Sequence, residues 1–222
     1  MNSVEISQLQ FSYSSGPTVL DIKYFSIKSG EKIFIYGPSG TGKSTLLNLL
    51  SGVLSPRTGS LKILDQDITK ISQGGRDTFR GKNIGYIFQS FNLIPYLSVE
   101  ENILLGKHFR GAPNDIKNRC HHLARDLNIF EHLSKKASQL SLGQQQRVAC
   151  ARALIEKPSI VIADEPTSSL DQKNTDEFME LLIKEWNELK FTLIFVSHDM
   201  DLAKYFDRKV ALSEINRGGE HD

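Results

Sequence analysis

The run G-P-S-G-T-G-K-S, Gly37 to Ser44, sets three glycines, a lysine and a hydroxyl at a spacing suited to phosphate chemistry. Gly37, Gly40 and Gly42 let the backbone curl until successive N–H groups point inward, and Lys43 can then reach the outer phosphates of a nucleotide. Ser44 offers a hydroxyl to Mg²⁺, and Pro38, Ser39, Thr41 and Thr45 complete the cradle. A glycine-rich turn with a stray lysine is the simpler alternative. The context argues against it, because an apolar strand precedes the run and a leucine-rich helix follows.

Such a cradle needs a carboxylate at the end of a neighbouring buried strand, and I-V-I-A-D-E supplies Asp164 and Glu165. Asp164 is expected to hold Mg²⁺ through water, and Glu165, one step on, to polarise an attacking water as general base. His198 follows the apolar run T-L-I-F-V and Ser197, at the strand edge where ligands bind in open α/β folds; a contact to the γ-phosphate is expected. A fourth stretch, L-S-L-G-Q-Q-Q-R from Leu140, contains a capping box, Ser141 with Gln144. That predicts a helix start with its positive dipole end uncovered, a place for an anion with no lysine of its own.

The elements that must position these groups are legible in part. Three β-rich runs lie between Val4 and Tyr36, and a helix is expected over Ser44 to Val53 with Leu46, Leu47, Leu50 and Val53 on one side. Helices dominate from Ser98 to Ile155, at S-V-E-E, Pro113 to Leu127 and Ser141 to Ile155. Alternation then returns: strand S-I-V-I-A, helix Gln172 to Leu189, strand T-L-I-F-V, a short helix from Asp199 and a weak strand K-V-A-L. Strands alternating with helices imply an α/β fold with a mostly parallel sheet covered on both faces. Residues 214–222 read as a polar tail.

A formal net charge of +1 argues against nucleic-acid binding by bulk electrostatics. Cys120 and Cys150 lack metal-ligand spacing and read as buried thiols in a reducing compartment. The N-terminus lacks a basic segment before an apolar run, and no apolar window approaches a bilayer span of about 20 residues. The expectation is a cytoplasmic chain, or one that sits on a membrane only through a partner.

Taken together, these residues resemble the ATP-binding subunits of ABC transporters, from Val4 to about Leu212. The likeness covers a Walker A motif at Gly37 to Ser44, a Q-loop at Gln89, the signature at Leu140 to Gln144 and Walker B at Ile160 to Asp164 with Glu165. It continues through a D-loop ending at Asp171 and an H-loop at His198. The resemblance implies one ATPase domain over residues 1–222, with a P-loop core and antiparallel β subdomain at 1–89 and 156–213 and a helical insertion at 90–155. It implies ATP with Mg²⁺, Tyr13 stacked on adenine, and Gln89 completing the metal shell while linking core and helical lobe. A strand aromatic with no ligand is the other reading of Tyr13.

The resemblance further implies a head-to-tail homodimer in which Ser141, Gly143, Gln144 and Asp171 act in trans on the partner's ATP. Separate transmembrane permease subunits would be met near Gln89 to Glu101. Leu142 departs from the commoner L-S-G-G-Q; within a helix it costs nothing. The run from Phe88 to Asn102, with A-D-E-P-T, resembles the lipoprotein-releasing, macrolide-exporting and cell-division group. A cell-division regulator and a non-transport ABC ATPase acting on DNA or ribosomes remain alternatives, although no coiled-coil insertion, tandem cassette or basic arm is present. A GTPase switch would need an N-K-x-D segment that the sequence lacks.

Overall fold

The structure, a computed structural model, describes residues 1–14, 16–106 and 115–218. These fall into two compact units, 1–80 with the chain from 191 onward, and 81–190.

The first unit opens on β1 (Asn2–Phe11) and β2 (Leu20–Lys28), paired antiparallel in the register Ile6↔Phe25 and Leu9↔Ile22. Alternating Val4, Ile6 and Leu9 with Leu20, Ile22 and Ile27 bury one face. After β3 (Lys32–Tyr36) and α1 (Lys43–Leu50), β4 (Thr58–Ile63) returns to pair antiparallel with β1, and the two-residue β5 (Gln66–Asp67) completes the sheet in the order β2-β1-β4-β5. The next element is α2 (Gln73–Asn83). Sequence reading assigned no element between Val53 and Gln89, and the reason is visible: β5 is too short to show a period, and α2 holds two glycines and no buried residue.

β3 lies between two further parallel strands of the same unit, β8 (Thr192–Val196) and β9 (Arg208–Ala211). Ile33, Phe34 and Ile35, with all five residues of β8, are fully or almost fully buried, the continuous apolar pattern of strands covered on both faces. The expected helix at 44–53 is shorter: α1 stops at Leu50, and Gly52 turns the chain at φ 72°. Leu46, Leu47 and Leu50 are buried as expected, but Val53 lies past the helix end and is 54% exposed. The segment from Asp199 is a 3₁₀ helix over Met200–Tyr205.

Residues 214–218, read as part of a polar tail, are tied down instead. α7 (Leu212–Ile215) ends at Asn216, whose side chain accepts from Asp21 N–H at 2.8 Å and donates to Val19 O at 3.0 Å. Polarity misled here, because a single asparagine can hold a terminus through backbone groups. Residues 219–222 lie outside the described set.

The second unit holds the parallel pair β6 (Ile84–Ile87) and β7 (Ile160–Asp164), with Ile84 opposite Ile160 and Ile87 opposite Ala163. Around it are α3 (Val99–Leu104), α4 (Ile116–Asp126), α5 (Leu142–Leu154) and α6 (Gln172–Leu189). The capping box expected at Ser141 with Gln144 is present, and Ser98 forms another with Glu101. The helix expected from Pro113 begins at Ile116; residues 113 and 114 lie outside the described set. Cys120 and Cys150 are buried free thiols.

Candidate functional site

In the first unit, chemistry gathers at the C-terminal ends of β3 and β8. Ile35 pairs with Val196, so the loop after Tyr36 and the segment Ser197–His198 leave the sheet side by side, and Ser197 N–H donates to Ile35 O at 3.3 Å. The loop is built by two left-handed residues, Gly40 at φ 82° and Gly42 at φ 99°. Gly42 is also the N-cap of α1, whose first turn carries no acidic residue. A Cβ at Gly42 would come within 3.1 Å of the Leu20 side chain and add the strain of a positive φ, so a side chain there is disfavoured.

The Lys43 ammonium donates to the carbonyls of Gly37 and Pro38 at 2.7 and 2.8 Å, and Thr41 Oγ1 donates to Pro38 O at 2.8 Å. The lysine therefore spans its own loop, its charge held at the mouth by two dipoles. Ser44 and Thr45 follow in the first turn of α1, where backbone N–H groups have no intrahelical partner. Tyr13 stands beside this turn: its hydroxyl bonds Thr45 Oγ1 at 3.0 Å, its ring meets Phe11 edge-on, and it is 49% exposed. Its ring is thus half open and fastened to the first turn of α1.

The second unit carries the acids. β6 and β7 are parallel and end together, so Gln89, two residues past β6, and Asp164 and Glu165, at the end of β7, leave from one edge. Glu165 has φ 43°, a left-handed backbone that costs a non-glycine residue about 1–2 kcal/mol and turns it off the line of Asp164. Strain of this kind at a strand end persists where the surroundings over-determine it, commonly at functional positions. Sequence reasoning missed Tyr86, whose hydroxyl donates to Asp164 Oδ2 at 3.4 Å. Burial and then the Asp164 charge push the Tyr86 phenol well above its ordinary range, so it stays a donor. Alternation along β6 was the only available hint.

Other unanticipated residues shape the segment after Gln89. Phe91 and Asn92 are left-handed, at φ 57° and 50°, and Arg152 donates to both of their carbonyls at 2.6 Å. The fully buried Asn102 donates to the carbonyls of Ile94, Leu97 and Ser98 and accepts from Ile94 N–H. Tyr96 stands on this built loop 70% exposed.

The stretch from Leu140 belongs to the second unit as well. Ser141 caps α5: its Oγ accepts from Gln144 N–H at 3.3 Å, and Gln144 Oε1 accepts from Ser141 N–H at 3.0 Å. The Gln144 amide nitrogen also meets His132 Nε2 at 2.9 Å. Gln144 is thus tied within its own unit through both its backbone N–H and its side-chain amide. Gly143 N–H, in the first turn, has no intrahelical carbonyl to meet. Leu142 has helical backbone and is 52% exposed, so the cost-free reading of this leucine holds. Asp171 caps α6, accepting from Asn174 N–H at 2.8 Å and from Asn174 Nδ2 at 2.8 Å. Those bonds, the backbone one foremost, hold its carboxyl below the ordinary 3.8.

Comparison with known proteins follows the same lines. A family model described as ABC transporter matches residues 20–168. The ABC transporter ATP-binding protein YtrE of Bacillus subtilis is 36% identical over 226 residues, 97% of each chain. The lipoprotein-releasing system ATP-binding protein LolD of Cytophaga hutchinsonii is 40% identical over 192 residues, 86% of this chain and 87% of that protein. Among solved structures, the ATP-binding cassette MJ0796, a dimer in a post-hydrolysis state bound to ADP and Pi, matches with a TM-score of 0.84 and 35% identity over 94% of this chain and 93% of that one. A glycine cradle after a buried strand, two acids ending another, and a capped signature helix have the same explanation as these likenesses: the chain belongs to the ABC transporter family, as an ATP-binding and ATP-hydrolysing subunit.

Proposed function

We propose that the chain works as a head-to-tail homodimer on the cytoplasmic face of a membrane, driving separate permease subunits by ATP-powered closure. The carrying observation is the start of α5: a capped helix end with no acidic residue in its first turn, an exposed Leu142 and a first-turn Gly143 N–H that meets no intrahelical carbonyl. In this reading a second copy brings ATP and its own Lys43 to that helix start. The dimeric form of MJ0796 supports this reading.

In this reading the loop amides from Gly37 to Ser44 hold the phosphates, Lys43 turns from its own carbonyls to the β- and γ-phosphates, and Tyr13 stacks on adenine. Glu165 accepts a proton from the attacking water, while Gln89 orients it and His198 holds the γ-phosphate. Ser141 and Gly143 approach from the partner, Gln144 braces them, and Asp171 sets register. Ser44, Gln89 and Asp164 provide hydroxyl, amide and carboxylate oxygens, the hard donors that suit Mg²⁺. Bound there, the ion would neutralise charge on the phosphates. Gln89 stands at the junction of the proposed core, 1–89 and 156–213, with the helical segment 90–155.

The loop held by Asn102 and Arg152, with Tyr96 exposed, is the proposed permease contact. Among the described residues no helix is long and apolar enough to cross a membrane, so the spans would lie on other chains. Likeness to LolD supports an export or lipoprotein-release system, with a cell-division regulator or a non-transport ATPase as alternatives. The test is Glu165→Gln: ATP affinity should be retained, turnover should fall by roughly 10²–10⁴, and ATP should shift the variant to a dimer on gel filtration. Normal turnover would remove Glu165 as the base.

A further inference from the structure

Gly143 has no positive φ to explain it, for it sits in ordinary helix at the start of α5. What surrounds it does. A Cβ built there would lie 2.7 Å from Asn174 Oδ1, 3.2 Å from its Cγ and 3.6 Å from its Cβ, and no other residue comes as near. An exposed asparagine could swing aside. This one is anchored, because its Nδ2 donates to Asp171 Oδ2 while its backbone N–H donates to Asp171 Oδ1, both at 2.8 Å. The amide nitrogen being committed to Asp171, the amide oxygen is left against Gly143. One turn further along the same two helices, Arg147 meets Glu177 at 2.6 Å and fixes the register of α5 on α6.

We infer that Asn174 is a positioning residue that locks the D-loop to the signature within one subunit. It holds Asp171 with one end and fills the space beside Gly143 with the other, so that both partner-facing groups move as a single platform. A side chain at Gly143 would meet Asn174 before any ligand arrives. The inference rests on the proposed reading of Ser141, Gly143 and Asp171 as groups that act on the partner's ATP.

The test is a double-mutant cycle. Gly143→Ala should lower both the melting temperature and kcat, the latter roughly tenfold, with ATP affinity of the monomer unchanged. Asn174→Ala leaves only its own Cβ at 3.6 Å, ordinary contact, and should restore the Gly143→Ala variant to within about threefold of Asn174→Ala alone. Asn174→Asp keeps the volume but loses the Nδ2 donor that anchors the side chain, so it should rescue only in part. Alone, Asn174→Ala should reduce kcat severalfold without moving KM for ATP, since it frees Asp171 and leaves the P-loop untouched. If Gly143→Ala melts with the parent, or stays destabilised in the Asn174→Ala background, Asn174 is not the constraint and the inference falls. The melting-temperature cycle needs no nucleotide, so it decides the packing claim even if the trans-signature reading fails, a failure that would appear as ATP turnover insensitive to both positions.

Discussion

Leu142 is the residue at which this chain parts from the commoner signature, and its setting says what it does. It is the first helical residue after a satisfied cap, with its side chain half in solvent and no positive φ to resist. Leucine is among the better helix formers and glycine costs about 1 kcal/mol more, so Leu142→Gly trades a little helix stability for a smaller surface. The ATPase rate of Leu142→Gly should stay within about threefold of the parent, given so small a change in helix propensity. A gain of an order of magnitude in a steady-state phosphate-release assay would show that the leucine obstructs the partner's nucleotide. The neighbouring glycine shows the limit of reading one residue at a time. At Gly143 the nearest neighbour of an added Cβ is a side chain 31 positions along the same chain.

At the scale of elements, α4, α5 and α6 enclose a polar group that no motif calls for. Glu185 is fully buried, neither carboxylate oxygen has a hydrogen-bond donor, and Arg119 Nη2 stands 3.8 Å away. Burial pushes its carboxyl above the ordinary 4.5, outweighing the pull of Arg119. A raised acid favours the folded state below that ordinary value and loses the advantage as pH climbs through the folded pKa. The melting temperature of Glu185→Gln relative to the parent should therefore shift in the variant's favour as pH rises from about 4 to 8. A flat difference across that range would mean that the carboxyl titrates alike in both states. The motif-bearing elements were readable because their signals are local: a capping box spans four residues, and β7, β8 and α6 are continuous apolar or amphipathic runs. By contrast α2 shows no apolar face to read, and β5 is two residues long.

Over the whole molecule, both cysteines should be silent while the chain is folded. Burial pushes the Cys120 thiol up to about 11 and the Cys150 thiol further, with Glu185 adding to the latter. Since the thiolate is the reactive form, an aromatic disulfide reagent should report almost no free thiol at neutral pH until denaturant is added, then two per chain. Prompt labelling of the native protein would show local opening of α4 or α5. The sequence by itself determined the family, the order of motifs, the α/β class and the helix caps. Each of these depends on residues a few positions apart, whose spacing is written directly in the chain. Only the tertiary structure decided that Asn174 occupies the space beside Gly143, that His132 braces Gln144, that Tyr86 donates to Asp164 and that Asn102 and Arg152 build the loop after Gln89. Such contacts join residues distant along the chain by close packing and directional hydrogen bonds, and neither leaves a periodic trace in the order of amino acids.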